Sequence, residues 1–247
     1  MEFKYQKVEA EVGQRIFVFG DLHGSYHLVE KAFRVLGIRD EDVKVFVGDY
    51  CDRSAQNIKC FEKVQPHNSN TYAVIGNHEH LYYAGVVEGS RNHHQCWIQN
   101  GGDVTAQEVG YENLEMLAPM IEWMPTALEV VRGDNSYGFT HADWPPFLSS
   151  YAFQEIASPA MKHQFGDNLF ENLIWSRAGA NATTQGVTLN KVKGVEYIFH
   201  GHSYMRKPTI NANRVFIDTG GVFNGNLSVA VIEPDGELWF YSTLEED

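Results

Sequence analysis

Three times in the first third of the chain, a short run rich in Val, Ile and Phe ends in glycine and then at once in polar residues. Residues 15–19 (RIFVF) lead into Gly20-Asp21-Leu22-His23-Gly24, and residues 43–47 (VKVFV) into Gly48-Asp49-Tyr50-Cys51-Asp52-Arg53. Residues 71–75 (TYAVI) lead into Gly76-Asn77-His78-Glu79. Each run has the length and composition of a strand, and its unbroken apolarity suits a parallel strand buried on both faces. Between the first two runs, SYHLVEKAFRVLG sets Leu28, Ala32, Val35 and Leu36 at helical spacing and stops at Gly37. Between the second and third, SAQNIKCFEKV suits a helix with Ser54 as its N-cap. The order β-α-β-α-β predicts right-handed crossovers between neighbouring parallel strands, whose carboxyl ends are where ligands gather. All three polar clusters fall there. Two positions apart on extended chain, Asp21 and His23 share one face.

Later segments read as a second set of strands. TALEVVRGDNSYGFTHAD predicts a hairpin about Gly133-Asp134-Asn135 that delivers His141 and Asp143. VEYIFHGHS ends in His200-Gly201-His202, NRVFIDTGG follows, and LSVAVIEPDGELWFYS predicts a hairpin about Pro234-Asp235-Gly236. The stretches near 81–124 and 149–170 read as mostly helical. No Pro- or Ser-rich linker, repeat or low-complexity block interrupts the 247 residues, so one domain over 1–247 is expected.

Composition narrows the function. A net charge of −13 argues against nucleic acid as partner, because that binding is driven by basic patches. No apolar run approaches the roughly 20 residues of a membrane helix, and the N-terminal MEFKYQKVEAEVGQR is too charged for a secretory signal. Cys51, Cys60 and Cys96 are odd in number and lack metal-knuckle spacing, which fits reduced thiols in a cytoplasmic protein. The sequons at Asn181 and Asn226 then carry no meaning for glycosylation, and the Trp and Tyr residues are read as core. Asp, His and Asn without thiolate suit hard to borderline ions such as Mn, Fe, Mg or Zn. Several acids on one edge repel one another unless a cation neutralises them.

The three clusters match, in order, the GDxHG, GDxxDR and GNHE signatures of the phosphoprotein phosphatase family. Further along, His141-Ala142-Asp143-Trp144-Pro145, Ile174-Trp175-Ser176-Arg177, Gly201-His202-Ser203 and the run from Ile217 to Leu227 resemble the bacteriophage lambda type of that family, so the likeness extends from about Ile16 to Ile232. The resemblance implies an α/β fold of the calcineurin-like metallophosphoesterase kind, a β-sandwich of two mixed sheets flanked by helices. It implies two divalent ions, Mn²⁺ foremost, with Fe or Zn an option at one site. Asp21, His23 and Asp49 would hold one ion, with Asp49 bridging to a second completed by Asn77, His141 and His202. Arg53 and Arg177, with Asn77 and His78, would bind the substrate phosphate. His78 would be the general acid, oriented by Asp52, while a metal-bridging hydroxide attacks phosphorus in line. The implied substrates are phosphoserine and phosphothreonine proteins, with phosphotyrosine and phosphohistidine also admitted and a monomeric enzyme expected. A symmetrical diadenosine tetraphosphate hydrolase, built on the same ligands, is the alternative.

The lambda type carries an aromatic residue where His200 stands, so His202 is read as the ligand and His200 as a packing or orienting residue. His80, His93 and His94 match no role and are expected to be solvated loop residues. Cys51 is read as a passive thiol. Ser54 replaces the usual glycine after Arg53, which would cost about 1 kcal/mol if that position required positive φ.

Overall fold

The computed structural model describes residues 1–244. Two mixed β-sheets stack face to face with helices against their outer sides. One sheet has the order β1 (Tyr5–Ala10), β5 (Ala127–Arg132), β6 (Asn135–Thr140), β7 (Tyr197–His200), β9 (Arg214–Phe216) and β8 (Thr209–Asn211). The other has the order β11 (Leu238–Ser242), β10 (Ser228–Ile232), β2 (Ile16–Phe19), β3 (Val43–Phe46) and β4 (Thr71–Ala73). As the opening pattern predicts, β2, β3 and β4 are parallel neighbours, with Phe19 opposite Phe46 and Phe46 opposite Ala73. The hairpins β5–β6 and β10–β11 turn where expected.

The strand alternation explains why the first runs are apolar throughout. Ile16, Val18, Val43 and Val45 point between the sheets, where they meet Leu128, Val130, Phe139, Phe199 and Val215. Phe17, Phe19 and Phe46 point outward to a second core beneath the helices. Phe19 stacks on Phe46 at 4.5 Å and on Phe33 of α1 (Tyr26–Val35) at 5.5 Å. Both faces of β2 are thus dry, so a polar residue anywhere along it would be buried without a partner.

The second helix starts differently from the expectation. α2 (Asn57–Val64) is preceded by Gln56 at φ 80°, and Ser54 does not cap it. The cap comes instead from Glu108 on α5 (Asp103–Val109), whose carboxylate accepts Asn57 N at 2.8 Å and Ile58 N at 3.2 Å. An acidic group at that position also suits the positive end of the helix. Ser54 itself is absent from the residues with positive φ, so no strain attaches to the missing glycine.

The helical middle runs from α3 (Asn77–Tyr82) through α4 (Arg91–Trp97), α5 and the single turn α6 (Ala118–Ile121). The later helices are α7 (Pro159–Trp175), α8 (Ala178–Thr184) and α9 (Gly221–Asn224). His80 corrects another expectation. It is a buried residue of α3, packed edge-on against Phe170 of α7 at 5.0 Å and His93 of α4 at 5.5 Å, because α4 and α7 close over the helix. Desolvation, assisted by His93, lowers its pKa to about 4. His93 and His94 lie on α4 rather than in a loop. Among the described residues no helix is long and apolar enough to cross a membrane.

Candidate active site

Strand ends from both sheets meet at one edge. The first sheet ends β6 at Thr140 and β7 at His200, just before His141 and His202. The second delivers Asp21 and His23 after β2, Asp49, Asp52 and Arg53 after β3, and Asn77 and His78 at the start of α3 beyond β4. The crossing is tight. A Cβ on Gly48, which has φ 102°, would stand 2.5 Å from His141 Nδ1, so only glycine lets β3 pass that ring. Glu79, fully buried, ties two of the loops together by accepting Asp49 N at 3.0 Å, Tyr50 N at 2.8 Å and Gly76 N at 3.0 Å.

Backbone strain is concentrated here. Among the described residues eight non-glycine residues have positive φ, and five of them are His23, Asp49, Asp52, Arg53 and His202. Each costs of order 1–3 kcal/mol, although Asp and His tolerate the region better than most residues. The surrounding cores and the Glu79 hydrogen bonds hold that strain in place.

Asp49 is the centre of the constellation. Its Oδ1 lies 3.2 Å from His141 Nε2 and its Oδ2 lies 3.4 Å from His23 Nε2 and 4.0 Å from His78 Nε2. Among the described residues two candidate metal-holding groups result, His23–Asp49–His78 and Asp49–His141–His202, and they share this carboxylate. Asn77 Oδ1 joins the second at 2.9 Å from His141 Nε2. Asp21 enters neither three-residue group. Its carboxylate accepts His202 N at 3.0 Å, beside Gly201. Burial and Asp218 push its pKa up, against the pull of His141.

The sequence model of the calcineurin-like phosphoesterase family matches residues 14–206. The chain belongs to that family. It is 29% identical over 234 residues to serine/threonine-protein phosphatase 1 of Salmonella typhimurium (strain LT2), covering 93% of this chain and 97% of the relative. Among solved structures, a Saccharomyces cerevisiae protein serine/threonine phosphatase with similarity to human PP5 superposes with a TM-score of 0.65 at 17% identity, over 96% of this chain and 82% of the other. A protein provisionally described as a diadenosine tetraphosphatase superposes with a TM-score of 0.61 at 18% identity, over 97% and 98% of the two chains. At these identities the structural likenesses establish the shared fold.

The family implies divalent metals, and the histidines of this phosphoesterase fit them. His23 Nδ1 lies 2.8 Å from the Cys51 carbonyl, His141 Nδ1 2.7 Å from the Val47 carbonyl, and His202 Nε2 3.1 Å from the Trp175 carbonyl. Each carbonyl accepts a ring N–H, which fixes the tautomer and makes the other nitrogen the candidate ligand atom. Burial holds His23 well below the usual histidine range and His202 at about 3, which favours the neutral ring. Burial would also lower His141, but Asp49 and Asp21 raise it to about 9. Burial alone would raise Asp49, yet His141 and His78 draw it far below the carboxylate range. The local field of clustered carboxylates therefore demands positive charge, as a cation site should.

His78 is built differently. Its Nδ1 lies 2.6 Å from Asp52 Oδ2, and its Nε2 faces Arg53 Nη2 at 2.9 Å. Desolvation opposes protonation, but Asp49 and Asp52 raise its pKa overall. Arg53 Nη1 also faces His23 Nε2, at 2.7 Å. Arg177, exposed at the head of α8, donates to the His202 carbonyl at 2.7 Å and to Ser203 Oγ at 3.2 Å. All ten expected site residues therefore lie within this one hydrogen-bonded and electrostatic network.

Sequence reasoning missed the groups behind Asp52 and Asp21. Asp52 Oδ1 accepts Thr105 Oγ1 at 2.6 Å and Trp97 Nε1 at 3.0 Å, so Trp97 is more than core. Its position in the chain gives no hint of this, because the contact spans 45 residues. Asp218 interacts with both Asp21 and Asp49, and its place after the run ending at Ile217 was the available signal. Cys51 behaves as expected, since burial pushes its thiol up and Sγ donates to Glu79 Oε1 at 3.4 Å.

His200 is fully buried with Nε2 unpartnered and Nδ1 3.0 Å from Thr140 Oγ1. Desolvation, aided by Arg214, holds it well below the usual histidine range. A histidine depressed on folding contributes no penalty above its unfolded pKa near 6.5, and stability falls as pH drops below that. His200→Phe should remove this limb, at up to about 1.4 kcal/mol per pH unit, while changing stability at pH 7.5 by less than about 1 kcal/mol. Urea unfolding at pH 5 and 7.5 checks it. An unchanged pH dependence would show that His200 binds its proton equally well in the folded and unfolded chains.

Proposed function

We propose that this phosphoesterase is a protein serine/threonine phosphatase that hydrolyses phosphomonoesters directly, without a phosphoenzyme. Residues 1–247 act as one catalytic unit, and the substrates are cytoplasmic phosphoproteins. The observation that carries the reading is the pairing of a carboxylate-backed His78 with the two groups that share Asp49.

Asp21, His23 and Asp49 would hold one ion, and Asp49, Asn77, His141 and His202 the other, with manganese the best activator. When bound, such a pair supplies water that ionises near neutral pH and positive charge to offset the phosphoryl oxygens. The chain's own side chains do the rest. Arg53 and Arg177 present guanidinium forks that match phosphate bidentately and stay charged. Asn77 contributes its amide N–H to the same oxygens. His78 carries at Nε2 the proton for the departing serine or threonine oxygen. Asp52 holds its Nδ1–H, fixes the ring and raises its basicity, and Trp97 and Thr105 keep Asp52 in place.

The curated relative named a serine/threonine-protein phosphatase supports a phosphoprotein substrate, since it aligns over nearly the whole of both chains. The diadenosine tetraphosphate reading is favoured only by a fold-level likeness. Turnover of a phosphothreonine peptide and of diadenosine tetraphosphate, each with Mn²⁺, Mg²⁺ or Zn²⁺ after chelation, separates the two. The expected result is loss of activity on chelation, best recovery with Mn²⁺, and kcat/KM at least about tenfold higher for the peptide. That margin corresponds to about 1.4 kcal/mol of transition-state discrimination. A preference for the dinucleotide would overturn the phosphatase reading, and recovery with Mg²⁺ while Mn²⁺ stays inert would overturn the assigned metal.

A further inference from the structure

Phe223 is 74% exposed, yet its backbone is held firmly. It sits on α9, inside a loop braced from several sides. Asp218 Oδ1 accepts Gly220 N at 3.0 Å, Asn224 Nδ2 donates to the Thr219 carbonyl at 3.0 Å, and Thr219 Oγ1 donates to the Asn226 carbonyl at 2.7 Å. Gly220 and Gly225 take φ of 80° and 76°, which makes the short turn at each end. Tyr204, itself 55% exposed, lies against Gly220, where a Cβ would meet its ring at 3.0 Å. The fold therefore braces a loop whose aromatic ring it leaves largely in water. Burial does not explain that ring.

Its neighbour does. The Arg53 guanidinium lies 5.4 Å from the Phe223 ring centroid, in cation–π range, and its nitrogens stand 2.7 Å from His23 Nε2 and 2.9 Å from His78 Nε2. A phosphoryl group gripped by Arg53 and protonated at its leaving oxygen by His78 would place the leaving group beside this ring. We propose that Phe223 is a specificity residue, a preorganised ledge that stacks an aryl leaving group and so favours aryl phosphate monoesters, phosphotyrosine among them. This deepens the phosphomonoesterase reading and rests on it. In the reaction so favoured, the P–O(aryl) bond breaks, a water oxygen joins phosphorus, and the phenol leaves with the proton. Because the loop is already ordered, stacking carries little ordering cost.

The test uses ligands that cannot be cleaved. Benzylphosphonate and ethylphosphonate share the phosphoryl oxygens, and a P–C bond replaces the ester. Calorimetric Kd values are measured on the metal-loaded full-length protein and on Phe223→Ala and Phe223→Tyr. Wild type should bind benzylphosphonate about three- to tenfold tighter than ethylphosphonate, the range expected for one aromatic pair. In Phe223→Ala that ratio should fall to about one, and Phe223→Tyr should restore it. The exposed position means that both variants should melt at the wild-type temperature. No preference in wild type, an unchanged ratio in Phe223→Ala, or loss of it in Phe223→Tyr would overturn the ledge. Equal weakening of both ligands would show Phe223 acting through Arg53 alone, which also overturns it. Failure to hydrolyse any phosphopeptide would instead strike the phosphatase reading, and the Kd ratio would still decide the role of Phe223.

Discussion

Asp49→Asn should leave the protein with one bound metal ion or none per chain and lower turnover by more than about 10²-fold. Removing an outer partner of a metal ligand already costs 10–100-fold, and Asp49 is the carboxylate that both candidate groups share. Its two oxygens face opposite ways, Oδ1 to His141 and Oδ2 to His23, so an amide can serve only one side with an oxygen. The metal-free protein offers an independent readout. There His141, raised to about 9 chiefly by Asp49 against the cost of burial, stays protonated in the folded state. A histidine raised on folding stabilises fully below its unfolded pKa near 6.5, and that contribution is lost as pH rises through about 9. Asp49→Asn should abolish this alkaline limb in chelator-treated protein. Full metal content with normal turnover would remove Asp49 from the centre of the site.

His78→Asn should lower kcat by about 10²–10⁴-fold on a phosphoserine peptide, the usual range for a lost general acid. The expected signature is selective. Metal content should stay unchanged, and the loss should shrink for p-nitrophenyl phosphate, whose leaving group needs little protonation. The geometry makes this a sharp test, because His78 Nε2 also stands near Asp49 Oδ2. If metal content falls instead, His78 is a ligand and its hydrogen bond to Asp52 serves to orient that ligand. Undiminished turnover would exclude both roles.

The core of the site was legible because parallel strands advertise themselves. A continuous apolar run can be buried on both faces only in a covered sheet, and three such runs separated by helices leave one place for their polar ends. Asp21, His23, Asp49, Asn77 and His78 follow from that. His141 and His202 needed the second sheet, whose strands share the same ending of an apolar run in a histidine. Contacts between distant segments were not legible. Glu108 caps α2 from 51 residues away, so Ser54 looked like the better cap. Trp97 and Thr105 reach Asp52 from α4 and α5, and nothing in their local pattern distinguishes them from ordinary helix residues. His80 reads as polar, yet α4 and α7 cover it. The partition of Asp21 and His78 between the two groups depends on side-chain directions at strand ends, where left-handed backbone breaks the simple alternation.

The central claim is that Asp49 is shared by two cations. Anomalous scattering at the manganese edge, from crystals of catalytically active, manganese-saturated protein, tests it most directly. The account predicts two peaks about 3.5–4 Å apart, one on each side of the Asp49 carboxylate. A single peak, or none within reach of Asp49, would contradict it.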